Sequence, residues 1–342
     1  SELNEKLLLI RRRIERCYET LLARQAAVTP ALVREMYFGN DRQQETLLAF
    51  FRQHNEEFGR MVGVSRSKSS YYKYRSVYRL LAAYVRERCR RADIPFRELD
   101  KRFLAGFHQY IARESPHKKN TAWVYMIAFK HILMLARSRD LLSADLFAGY
   151  RLRSEFVARD YLTETEIRRL MLLTPTDRTQ RLVLDAFLFS CFTGLSYIDI
   201  RQLKPANIRY TQGQLWIGTT RRKTGSEVYV RLFAVPNAIL SRYLTDAADE
   251  PIFALPSNGW CNACLRRLLP EAGIVRPITF HVARHTFATT ITLSQGVAIE
   301  TISKLLGHRN IRTTQIYAAV THAKLEGDME RLSRQLDACY RL

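Results

Sequence analysis

The sequence predicts a mainly α protein with one small antiparallel β-sheet, an α+β arrangement. Apolar residues recur at spacings of three and four through most of the chain. The pattern runs from Leu3, Leu7, Ile10, Ile14, Cys17 and Leu21 to Leu325, Met329, Leu332, Leu336 and Cys339. Helix punctuation accompanies it: Thr29-Pro30, the capping box Thr163 to Glu166, and the stop at Thr193-Gly194. A single stretch reads as strands, Gln214–Gly218 and Val228–Leu232, around the turn Thr220–Gly225.

The length of 342 residues points to two or three domains. Lys and Arg total 54 against 33 Asp and Glu, a net charge of +21. A charge of that size attracts a polyanion, nucleic acid first and an anionic membrane surface second. The basic residues are spread through the chain instead of forming one amphipathic anchor, which favours nucleic acid. The most apolar run, Leu182–Leu195, is broken by Asp185, so no span and no membrane partner is expected. There is no secretory signal, and a cytoplasmic, nucleoid-associated location is the expectation. The chain opens on Ser1 and not Met, as a chain lacking an N-terminal portion does. Six cysteines give one lone C-x-x-C, Cys261 and Cys264. No second pair sits nearby, so these read as small core residues and no metal is expected.

In chain order, the first helix carries Arg11, Arg12, Arg13 and Arg16 on its polar side and reads as a packing helix before a DNA contact. Leu47, Leu48, Phe50, Phe51 and Phe58 supply the next long helix. Ser65–Ser70 reads as a basic, hydroxyl-rich loop into Tyr71–Arg75, with Lys68, Lys73 and Arg75 among tyrosines suited to phosphate and sugar. Asn120 is expected to cap a helix whose apolar side holds Trp123, Ile127 and Met134. Lys119, Lys130 and Arg137 form a basic stripe beside it, with Lys118 as its neighbour, either a DNA contact or a solvated face. Arg151–Asp160 is a polar link, and Leu182–Phe192 a buried helix.

The candidate chemistry lies between Thr279 and Ala318. His281, Arg284 and His285 stand at i, i+3 and i+4, one face of a helix. Leu306-Gly307-His308 reads as a helix end with glycine at the turn. Thr313 is placed to cap a following helix that carries Tyr317. Two imidazoles, a guanidinium and a phenol make a donor set for phosphate plus one nucleophile.

These residues resemble the tyrosine recombinase (phage-type integrase) family, including integrases of mobile elements. The family pattern is H-x-x-R, then L-G-H, then a tyrosine nine residues later, matched by His281, Arg284, His308 and Tyr317. The resemblance implies a helical core-binding domain and a catalytic domain. It divides the chain into connector helices 1–40, a DNA-binding bundle 41–150, a linker 151–160 and a catalytic domain 161–342 with a C-terminal exchange helix. It implies double-stranded DNA as partner, cleaved and rejoined through a 3′-phosphotyrosine on Tyr317, with Lys223 of the K-T-G turn as general acid. No cofactor is expected. A tetramer on DNA, a monomer or weak oligomer in solution, and accessory DNA-bending proteins complete the expectation. His285 reads as structural, and the C-terminal apolar seam packs either in cis or on a neighbour.

One position departs from the family. In T-G-x-R-x-x-E-L, Ser196 takes the arginine position and Asp199 the glutamate position. A hydroxyl cannot replace a guanidinium fork. A substitute arginine is expected, with Arg201 and Arg222 ahead of Arg178 and Arg181. Two other readings stay open: a type IB topoisomerase, and a decayed recombinase that only binds DNA.

Overall fold

The computed structural model describes residues 2–23, 28–37, 46–114, 119–155, 159–245, 247–317 and 322–340. The chain divides into two compact units, Ser1–Phe156 and Val157–Leu342.

In the first unit, α1 (Glu2–Ala23) packs on α2 (Pro30–Tyr37). A four-helix group follows: α3 (Leu47–Arg60), α4 (Lys68–Glu87), α5 (Lys101–Glu114) and α6 (Lys119–Ser138). Its centre holds Phe51, Val77, Leu81, Leu104, Phe107 and Phe129, all fully buried. The orphan N–H groups of α3 are satisfied from a distance. The Asp93 carboxylate accepts from the N–H of Leu48 at 2.9 Å and of Ala49 at 3.1 Å. The expected loop Ser65–Ser70 ends early, because Ser67 caps α4 by accepting from the Ser70 N–H. Asn120 lies inside α6 and not at its cap; its side chain binds the Glu155 backbone instead. The buried face of α6 is Ala122, Met126, Phe129, Leu133 and Ala136, while Ile127 and Met134 point outward. The expected apolar face was therefore the wrong one: both faces carry apolar residues, and only packing distinguishes them.

In the second unit the Thr163–Glu166 capping box opens α7 (Glu164–Met171). Arg276 clamps Glu166 and holds its carboxyl down at about 2. Next come α8 (Arg178–Thr193), buried along most of its length, and the short α9 (Tyr197–Arg201). The sheet has three antiparallel strands in the order β1 (Ile208–Thr211), β2 (Gln214–Thr220) and β3 (Glu227–Arg231). Strand β1 was not expected, being four residues long with only Ile208 turned inward. Then follow α10 (Ala234–Leu240), α11 (Asn258–Leu268) and α12 (Phe280–Thr286), which runs on as a π turn. Last are α13 (Ile299–Leu305) and α14 (His322–Cys339). Cys261 and Cys264 are buried in the core, where desolvation pushes each thiol up to about 11. Among the described residues no helix is long and apolar enough to cross a membrane.

Candidate active site

Three chain reversals in the second unit bring the candidate residues together. The first is Gly194, the left-handed cap of α8 (φ 69°), where an added Cβ would lie 2.5 Å from the Phe287 ring. Its carbonyl accepts from Arg284 Nη1 at 2.7 Å. The second is the turn after α13, where Gly307 has φ 61° and an added Cβ would fall 2.8 Å from the Arg221 side chain. The third is the β2–β3 turn, which carries Arg221, Arg222 and Lys223 and ties itself to Gly307 through the Thr224 hydroxyl at 3.3 Å.

Arg284 is 3% exposed on α12. Its Nη2 donates to the Leu306 carbonyl at 2.6 Å and lies 2.9 Å from His308 Nε2. The other ring nitrogen of His308 is 2.8 Å from the Thr314 hydroxyl, which fixes the imidazole plane. Burial and the charges of Arg284 and Arg221 push His308 down to about 4. His281 reaches the surface one turn before His285, and the partial desolvation of its ring, with the charges of Arg284, Arg159 and Lys223, lowers its pKa. Lys223 is exposed at the rim, close enough for its charge to act on both His281 and His308. Tyr317 is 8% exposed, and its hydroxyl lies 2.8 Å from Nδ1 of His285. Desolvation raises its pKa, with Arg284, Arg159 and Arg221 pulling the other way.

Two expectations about this loop change. Asn310, and not Thr313, caps the turn after His308, and it does so over the N–H of Arg312. Tyr317 sits on the single 3-10 turn Gln315–Tyr317, and the residues immediately beyond lie outside the described ones.

The expected substitute arginines are elsewhere. Arg201 is exposed and faces Tyr197 and Cys261, whose pKa values respond to its charge. Arg222 is exposed, and only its backbone N–H reaches Asp199, at 3.3 Å. Arg181 donates to the Leu173 carbonyl and pairs with Asp185, while Arg178 is exposed at the start of α8. The arginine beside Arg284 is Arg221, 6% exposed. Its Nη1 donates to the same Leu306 carbonyl that Arg284 uses. Asp199 orients it: Arg221 Nε is 2.9 Å from Oδ2, which also accepts from the Ser196 hydroxyl at 2.6 Å. Among the described residues, that Nε–H has no hydrogen-bond acceptor in line. The signal was in the alternation: Ile217, Thr219 and Arg221 fall on one side of β2 and its continuation, and Arg222 on the other. Sequence reasoning also missed Arg159, which acts on His281, His285 and Tyr317 from the segment before α7.

The arrangement is unbalanced in charge. Two buried guanidiniums face one carboxylate, Asp199, and three histidines kept neutral. Buried charge without a partner is costly, so such a site favours an anion. A phosphodiester between Arg221, Arg284 and His308 would meet forked donors, and the phenol of Tyr317 is the adjacent oxygen nucleophile.

The phage integrase family matches residues 160–324, and the phage integrase SAM-like domain matches residues 46–152. Tyrosine recombinase XerD of Oceanobacillus iheyensis is 45% identical over 271 residues, covering 66% of this chain and 88% of the relative. The chain belongs to the tyrosine recombinase family. Tyrosine recombinase XerA of Pyrococcus furiosus is 30% identical over 185 residues, 50% of this chain and 60% of the relative, so the chain spans about 60% of that relative's length. Among solved structures, the Tn1549 transposon integrase in complex with transposon right end DNA superposes with a TM-score of 0.62. It has 14% identity and covers 84% of this chain and 100% of that one. A lambda integrase dimer bound to a COC′ core site also gives 0.62, at 16% identity, over 80% and 95%. These last two establish the shared fold.

In the first unit, Lys68 and Arg75 are exposed on α4, with Arg75 over the Tyr71 ring at 5.7 Å. Lys73 lies over Tyr74 at 4.9 Å, Lys130 over Phe147 at 5.4 Å, and Arg137 is exposed. Lys118 and the side chain of Lys119 lie outside the described residues. A groove of 720 Å³ adds Arg52, Arg79 and Arg86 beside Tyr71 and Tyr72.

Proposed function

We propose that the protein is a site-specific DNA recombinase or integrase that cuts and rejoins strands through a 3′-phosphotyrosine on Tyr317. One observation carries this reading: Arg221 and Arg284 share the Leu306 carbonyl beside a buried tyrosine, with the Asp199 carboxylate paired to Arg221 and, among the described residues, no ion pair to Arg284. Arg284, Arg221, His308 and His281 hold the scissile phosphate and stabilise the charge that grows on its equatorial oxygens. Lys223, at the rim, protonates the leaving 5′ oxygen. Asp199 is a positioning residue for Arg221. The presence of Arg221 removes the reason, a missing arginine at Ser196, for reading the chain as decayed.

The first unit supplies the DNA grip through residues 41–150, after connector helices in 1–40, with Lys68, Lys73, Arg75, Lys118, Lys119, Lys130 and Arg137 on phosphates. Met329, Leu332, Leu336 and Cys339 are exposed on α14. That seam docks on a second copy in a DNA-bound tetramer, in which accessory DNA-bending proteins shape the site. Removal of the chain after Gly327 should spare single-site binding and weaken synapsis, read by gel shift. The test of the chemistry is a nicked suicide duplex carrying the attachment site recovered from the ends of the element. The parent should form a covalent adduct at Tyr317, and Tyr317→Phe should bind that duplex and form none. An adduct on the Phe variant would refute Tyr317 as nucleophile. Relaxation of a plasmid without any site would point to topoisomerase action instead.

A further inference from the structure

We propose that His285 is the proton acceptor for the attacking phenol, an inference that rests on Tyr317 being the nucleophile. The motif places His281 first, but among the described residues the histidine hydrogen-bonded to the tyrosine hydroxyl is His285, and His281 meets the His285 ring instead. The ring of His285, one turn later on α12 and 6% exposed, sits with Nδ1 2.8 Å from Tyr317 Oη. Its ring also meets His281 edge to face at 4.6 Å and the Tyr317 ring at 5.3 Å.

The groups around His285 keep it neutral. His281 and Arg284 act from its own helix, Arg159 from the segment before α7, and His308 from the turn after α13. With burial, they hold the imidazole at about 4, so near pH 7 it is an acceptor and not a cation. So weak a base cannot ionise a resting phenol. It does not need to, because the phenolic proton becomes far more acidic once its oxygen begins to bond phosphorus. The same step brings the phosphate's negative charge beside the ring, which favours imidazolium.

The step balances. The Tyr317 Oη–P bond forms as the P–O5′ bond breaks. The phenolic proton passes to His285 Nδ1, and Lys223 gives a proton to the 5′ oxygen. In religation the incoming 5′ hydroxyl returns its proton to Lys223, and His285 returns the other to Tyr317 Oη.

The test uses the nicked attachment-site duplex with sulfur at the bridging 5′ position, so the leaving group needs no proton. The parent rate should be flat from about pH 6.5 to about pH 9, as expected for an acceptor already deprotonated. His285→Gln keeps a polar contact to the phenol but cannot take a proton. It should cut about 100-fold more slowly near pH 7, the scale of a lost general base, and speed up about tenfold per pH unit. Trifluorotyrosine at position 317, a more acidic phenol, should restore at least about tenfold to that variant. His281→Gln should be slower but keep the flat profile. A flat profile for His285→Gln, or the sloping profile in His281→Gln, overturns the proposal. If neither His285→Gln nor His285→Asn folds, a sloping profile in the parent overturns it, and a flat one shared with His281→Gln supports it. An adduct on Tyr317→Phe is a different failure, that of the nucleophile itself.

Discussion

Two clusters in the second unit are each built from an acid and arginines, and they do opposite things. Around Asp185 the acid is inside and the cations lean outward. Asp185 is 3% exposed and accepts from Tyr243 Oη at 2.8 Å and from Arg242 Nη1 at 3.1 and 3.2 Å, with the Arg181 Nε 3.9 Å away. The Arg242 side chain remains 53% exposed, so water screens what the carboxylate does not. Around Asp199 the order is reversed. Both guanidiniums are inside, at 6% and 3% exposure, and the Asp199 carboxylate pairs with Arg221. The first cluster is satisfied as it stands; the second leaves positive charge unmatched, and an anion is expected to bind there. Counting arginines does not separate them, whereas asking which partner is desolvated does.

That contrast can be broken by substitution. Arg284→Ala should have the largest effect, slowing adduct formation by about 1000-fold in a single-turnover assay while gel-shift binding persists, since it removes a buried guanidinium proposed to hold the phosphate. Lys223→Ala should slow cleavage by about 100-fold, with recovery on the 5′-bridging sulfur duplex; equal impairment on both duplexes would take the general-acid role from it. Asp185→Ala should leave the cleavage rate of folded enzyme near the parent's and lower unfolding stability by about 2 kcal/mol, through lost charged hydrogen bonds. The smallest effect is at Glu166. Its folded carboxyl titrates near 2, below the usual value of 4.5, so its contribution is present above pH 4.5 and is lost as pH falls towards 2. Glu166→Gln should flatten that acid limb of a denaturation series and leave cleavage near neutral pH unchanged.

Much of the site was legible because local rules set it. His281, Arg284 and His285 share a helix face by spacing alone, and Gly194 and Gly307 mark turns that only φ above zero permits. Arg221 was hidden because a turn arginine usually faces water. Its burial depends on Gly307 allowing another segment, 86 residues later in the chain, to close over it. The outward apolar residues of α6 misled for a related reason: periodicity gives faces but not which one a neighbour covers. The contact of His285 with Tyr317 joins two segments whose distance no spacing encodes.

Arg221 is expected to stand in for the arginine absent at Ser196. The direct measurement is the single-turnover cleavage rate of Arg221→Ala beside Arg178→Ala, Arg181→Ala, Arg201→Ala and Arg222→Ala, each checked for folding and DNA binding. Arg221→Ala alone should lose about 100- to 1000-fold, as expected for one phosphate-binding donor. Ser196→Arg added to it should recover part of the rate. Parental cleavage by Arg221→Ala, or a comparable loss in any of the other four, would contradict the account.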